Sequence, residues 1–164
     1  MKVEIYSREA MERRLQEGKL YDTAVICFYD PPSSRTPADY APINYDKKCT
    51  AEYSIAVHDI DIEVLPEYGL NFDTYFPEAK QLALFIKTVV ASNLNIICQC
   101  EYGQSRSAAC AAAIKEYYDH DGISIFADYR YYPNQLIFNK TKLDDSTITL
   151  EEHWESINKY FHII

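Results

Sequence analysis

Glycine is scarce in this chain, four residues in 164, and the seven prolines are scattered, so nothing reads as a flexible linker. Internal repeats, low-complexity tracts and apolar runs of membrane-spanning length are all missing. Those absences set the expectation of one domain, residues 1–164, whose 48% hydrophobic content suffices for a full core. The opening Lys2-Val3-Glu4-Ile5-Tyr6 is a charged strand pattern without a leader's apolar stretch, so a cytoplasmic protein with no membrane partner is expected. Positive charge is also in deficit: 16 Lys and Arg face 25 Asp and Glu, for a net charge of −9. With no basic stripe to displace counterions, the composition weighs against nucleic acid as a partner, and against polyphosphoinositides and RNA caps. Five cysteines, an odd number at no framework spacing, suit a reducing compartment. Cys98 and Cys100 have no His or Cys neighbour at ligand spacing, so the chain calls for no metal and no other cofactor.

What is present alternates between two periods. Residues 2–6 read as a strand, and Ser7 caps a helix running to Gln16, closed by Gly18. Thr23–Phe28 and Glu52–Val57 read as two further strands, separated by a proline-punctuated loop over 30–48. A helical face runs through Phe76, Ala79, Leu82, Phe85 and Val89 within 75–91. The apolar run Leu94–Cys98 follows as a strand, and Ala108–Tyr118 as a helix. The remainder reads as helices over about 134–143 and 149–161, the last with Leu150, Trp154, Ile157 and Phe161 at helical spacing. Alternating strand and helix argues for an α/β fold with a mostly parallel central sheet of four to five strands flanked by helices. Ligands of such sheets bind beyond the carboxyl ends of the strands, so Asp30, Asp59 and Cys100 are expected on one rim.

The octet Cys100-Glu101-Tyr102-Gly103-Gln104-Ser105-Arg106-Ser107 lies between the last strand and its helix. A tight loop there leaves the backbone N–H groups of Glu101, Tyr102, Gly103, Gln104 and Ser105 free to cradle an anion. A helix N-terminus and a guanidinium both favour thiolate at Cys100, and Arg106 can hold two phosphate oxygens with its planar fork. Gly103 supplies a φ value the loop requires. The bland alternative is a buried cysteine followed by an unrelated arginine. Average composition yields Cys-x5-Arg-Ser/Thr by accident in roughly a few per cent of chains with this many cysteines. The Gly, the Ser before the Arg and the strand-then-helix setting each lower that figure.

The octet resembles the signature loop of the cysteine-dependent protein tyrosine phosphatases, in their dual-specificity branch, whose pattern is Cys-x-x-Gly-x-Ser-Arg-Ser. The likeness spans about Ser54 to Tyr118, including Leu70–Ala79 ahead of the long helix. Arg130-Tyr131-Tyr132-Pro133-Asn134 is similar to the tail of a mostly bacterial group in that branch. The resemblance implies a protein phosphatase for phosphotyrosine, with dual specificity in view, acting on a phosphorylated protein or a small phosphate ester. It implies Cys100 as nucleophile, Arg106 as phosphate clamp, and Ser107 as the hydroxyl that eases departure of the sulfur. It also implies a general acid after an earlier strand. The acidic cluster offers Asp59 and Asp61, and the branch favours Asp59. The family usually has His before the cysteine where this chain has Gln99, which implies a less acidic thiol. The single Trp, Trp154, reads as core.

Other readings use the same loop. A silent relative would bind phosphoproteins without turnover, and an arsenate reductase would need relay cysteines within reach of Cys100. Cys27, near the end of a neighbouring strand, could in principle trap oxidised Cys100 as a disulfide. His58, beside Asp59, reads as a loop histidine.

Overall fold

The computed structural model describes residues 1–164, and at its centre is a four-stranded, all-parallel sheet in the order β1-β4-β2-β3. The strands are β1 (Val3–Ser7), β2 (Leu20–Tyr29), β3 (Cys49–Ala56) and β4 (Asn95–Cys100). The expected α/β class with a parallel sheet is therefore what the chain forms, at the lower of the two strand counts. β4 pairs with β1 on one side and β2 on the other, which sets Cys100 beside Ser7 and Gln99 beside Cys27. The strand that carries the octet is thus central and nearly fully buried, as its unbroken apolar run requires.

Because side chains alternate along a strand, β4 divides its residues between two cores. Ile96, Cys98 and Cys100 enter the larger cluster with α2 (Ala79–Ala91), α3 (Arg106–Asp119) and α5 (Gln135–Lys140). Ile97 faces the smaller cluster, with Met11 of α1 (Arg8–Gln16), Val25, Cys27, Tyr45 and Cys49. The 30–48 segment, a loop as expected, delivers Tyr45 to that second face. Two further helices complete the chain: the short α4 (Ile123–Phe126), which sequence periodicity does not reveal in four residues, and the 11-residue α6 (Leu150–Tyr160).

The caps follow their residue types. Ser7 accepts a hydrogen bond from the Ala10 N–H, and Asn134 accepts one from Ile137. Thr149 and Glu152 form a reciprocal capping box at α6. Three expectations need correction. α2 begins at Ala79 instead of 75, because Phe76 takes a left-handed φ of 53° to bury its ring beside Phe28 ahead of Pro77. Trp154 is not core: it is 60% exposed, as is most of Leu150, and α6 instead buries Ser156 and Tyr160. Tyr160 packs edge-on against Tyr53 and Phe85, and that aromatic trio is what orients the helix. The strand expected over Glu52–Val57 begins earlier, at Cys49, which is fully buried.

Candidate active site

The octet forms the turn from β4 into α3 at the carboxyl edge of the sheet. Gly103 has φ +65°, and its α-carbon lies so close to the end of β1 that a Cβ would stand 2.6 Å from the Ser7 nitrogen. Only glycine satisfies both demands. The loop is fastened from outside through its carbonyls: Arg8 N–H donates to Glu101, Tyr132 to Gln104, and Asn134 to Ser105. None of the N–H groups of Glu101 to Ser105 donates to another protein group. With three of the loop carbonyls tied outward, those donors are left without a protein partner at the start of a 14-residue helix, an arrangement that suits an anion.

Cys100 is 3% exposed, and its Sγ lies 3.0 Å from the hydroxyl of the fully buried Ser107. Arg106 is 4% exposed. Its Nη1 donates to Asp30 Oδ1 and to the Val57 carbonyl, each at 2.8 Å, while its buried Nε has no partner. An arginine held on one side, with a dry N–H unsatisfied on the other, is poised for an oxyanion.

Asp59 lies just past β3 and reaches the loop directly. Its Oδ1 accepts from the Ser105 hydroxyl at 2.7 Å and from Asn134 Nδ2 at 2.9 Å. Asp61, two residues on, holds the cap position of the 3₁₀ segment Ile62–Tyr68 and makes no side-chain cap bond. The geometry thus brings Asp59 to the octet and leaves Asp61 outside it. Beside them a cavity of ≈ 380 Å³ is lined by Asp30, Ser33, Arg35, His58, Asp59 and Tyr68. The His58 ring packs at a tilt against Tyr68, centroids 4.7 Å apart, and burial lowers its pKa.

Four residues gain parts that sequence reading did not assign. Ser105 uses its side chain, not only its N–H, to hold Asp59. Asn134, 5% exposed, caps α5, clasps the loop and anchors Asp59 and the Ile60 carbonyl at once. Its signal was a Pro-Asn pair readable only as a helix cap. Asp30 was placed on the rim, but pairing with Arg106 across 76 residues leaves no trace in local pattern. Gln99 is buried on the far face, where it accepts from the Tyr45 hydroxyl at 2.8 Å and donates to the Cys100 carbonyl at 2.9 Å. An amide there braces the backbone of Cys100 without contributing charge.

The remaining thiols are poor relays. Cys27 faces the second core, across the sheet from Cys100, and burial pushes its pKa up to about 12. That geometry argues against the Cys27 disulfide entertained above. Cys98 shares a face with Cys100 but is fully buried, and its hydrogen bond with Cys110, together with burial, raises its pKa. No three His, Cys, Asp or Glu side chains gather at metal-ligating distance. No helix is long and apolar enough to cross a membrane.

No protein-family model matches the chain, and none of the curated proteins does. Among solved structures it is similar to the human tyrosine phosphatase-like serine/threonine/tyrosine-interacting protein, with a TM-score of 0.49 and 13% identity over 82% of each chain. It is similar also to PTPMT1, with a TM-score of 0.43 and 14% identity over 96% of this chain and 93% of that one. Both are distant likenesses of backbone; the chemistry of the site rests on its own side chains.

Proposed function

We propose that the chain is a protein phosphatase of the dual-specificity type, in its bacterial-type branch, hydrolysing phosphotyrosine and other phosphomonoesters through a cysteinyl-phosphate. The observation that carries the reading is the Cys100–Ser107 pair and the adjoining Arg106 on a loop whose N–H groups from Glu101 to Ser105 have no protein partner, with the buried Arg106 Nε also unpaired. In the first step the Cys100 thiolate attacks phosphorus. The ester P–O bond breaks, and the leaving oxygen takes a proton from Asp59. The loop amides and Arg106 hold the three equatorial oxygens as charge spreads over them. In the second step water attacks the phosphorus and gives a proton to Asp59. The P–S bond breaks, and the Ser107 hydroxyl donates to the departing thiolate. Inorganic phosphate leaves, and no redox partner is needed.

Hydrolysis of an aryl phosphate in the presence of chelator, wild type beside Cys100→Ser, tests this from about pH 5 to 8, where an acid and a thiolate bracket the optimum. Wild-type turnover with a bell-shaped profile, and a loss of far more than tenfold in the variant, is expected. Phosphopeptide binding without turnover in either protein would select a binding module instead. The arsenate-reductase alternative loses support from the burial of Cys98 and from the position of Cys27.

A further inference from the structure

We infer that Asp30 is the positioning residue of the phosphate clamp: its carboxylate fixes the rotation of the Arg106 guanidinium so that the Nε–Nη2 edge meets the phosphate. The inference rests on the phosphatase reading above and adds to it a residue from a different strand. A guanidinium has five N–H groups. Both hydrogens of Nη1 are committed, one to Asp30 Oδ1 and one to the Val57 carbonyl, at 2.8 Å each. What remains is the edge formed by Nε and Nη2, whose parallel N–H bonds match two oxygens of a phosphate. Nε on that edge is buried and has no protein partner. Asp30 is itself fixed: it follows the last residue of β2, a strand hydrogen-bonded to both β4 and β3, precedes Pro31, and its N–H donates to the Tyr40 hydroxyl.

Its sign is informative. A carboxylate beside an anion site repels the anion and partly neutralises the arginine. On charge alone Asp30 weakens phosphate binding, so what it contributes must be orientation. Charge and orientation make opposite predictions for its removal, which separates the two roles.

The experiment measures binding of inorganic phosphate by calorimetry to the full-length wild type, Asp30→Ala, Asp30→Asn and Asp30→Glu, with the aryl phosphatase pH profile of each. Asp30→Asn keeps an acceptor oxygen in place and loses the charge; Asp30→Glu keeps the charge and moves the acceptor by one methylene. Expected are phosphate binding weakened about tenfold in Asp30→Ala and in Asp30→Glu, and wild-type or tighter binding in Asp30→Asn. The pH profile should stay bell-shaped throughout, because neither nucleophile nor acid is replaced, with its thiolate limb moved to lower pH where the Asp30 charge is removed. Equal or tighter binding in Asp30→Ala, or weakening in Asp30→Asn with Asp30→Glu intact, would overturn the assignment and leave the phosphatase reading standing. Should Asp30→Ala fail to fold, the Asn and Glu pair decides the matter alone. A wild type that binds no phosphate would overturn both.

Discussion

Asp59 carries two donors on one oxygen, Ser105 Oγ and Asn134 Nδ2, and the proposed mechanism assigns the transferred proton to its second oxygen. Asn134 cannot move without moving the helix it caps, so the acid inherits the rigidity of α5. Replacing Asn134 with Ala removes the anchor but not the acid. Turnover of a phenyl phosphate, whose leaving group needs a proton, should fall about tenfold or more, while a nitrophenyl phosphate should be affected much less. Equal losses on the two substrates, measured side by side, would mean that Asn134 serves stability alone. At this scale the octet was legible, since its spacing is its chemistry. Asn134, Asp30 and Tyr45 were not, because each acts across 54 to 76 residues of chain, a distance that no local spacing records.

Between strand and helix, the loop is set less by its own sequence than by what it leans on. Gly103 is pressed against the Tyr6–Ser7 backbone, with Tyr6 C at 2.8 Å and Ser7 N at 2.6 Å from where a Cβ would sit. Gly103→Ala should therefore force the loop off β1. About 1–2 kcal/mol of left-handed strain adds to the clash. Phosphate binding should drop more than tenfold, and urea unfolding should show lost stability. A variant that binds phosphate as the wild type does would show the contact to be soft. Helix and strand identities were readable from period, and the Ser7 and Asn134 caps from residue type; the Thr149 capping box was not read. The face that α6 buries was not. Leu150 and Trp154 have helical spacing, yet the docking of Tyr160 between Tyr53 and Phe85 turns them outward. Likewise the start of α2 yields to the burial of Phe76, a tertiary demand that no propensity contains.

Across the whole molecule, the loop proposed to bind phosphate sits in a protein of net charge −9. Only the local donors attract phosphate; the surrounding field opposes it. Phosphopeptides flanked by Lys or Arg should show higher kcat/KM than the same peptides flanked by Glu, and the ratio should shrink as salt shortens the screening length below about 10 Å. A ratio indifferent to salt would place the discrimination in contacts instead of the field. The strand order was not readable from alternation, since several parallel arrangements share one pattern. It is nevertheless what gathers the ends of β2, β3 and β4, with Asp30, Asp59 and Cys100, at one edge. That edge also has a consequence in time. Asp59 is already bonded to the loop before any substrate arrives, so the proposed mechanism calls for no flap to carry the acid to the site. On the proposed mechanism, the cost of placing that carboxyl was met once, when the chain folded, and is not met again at each encounter.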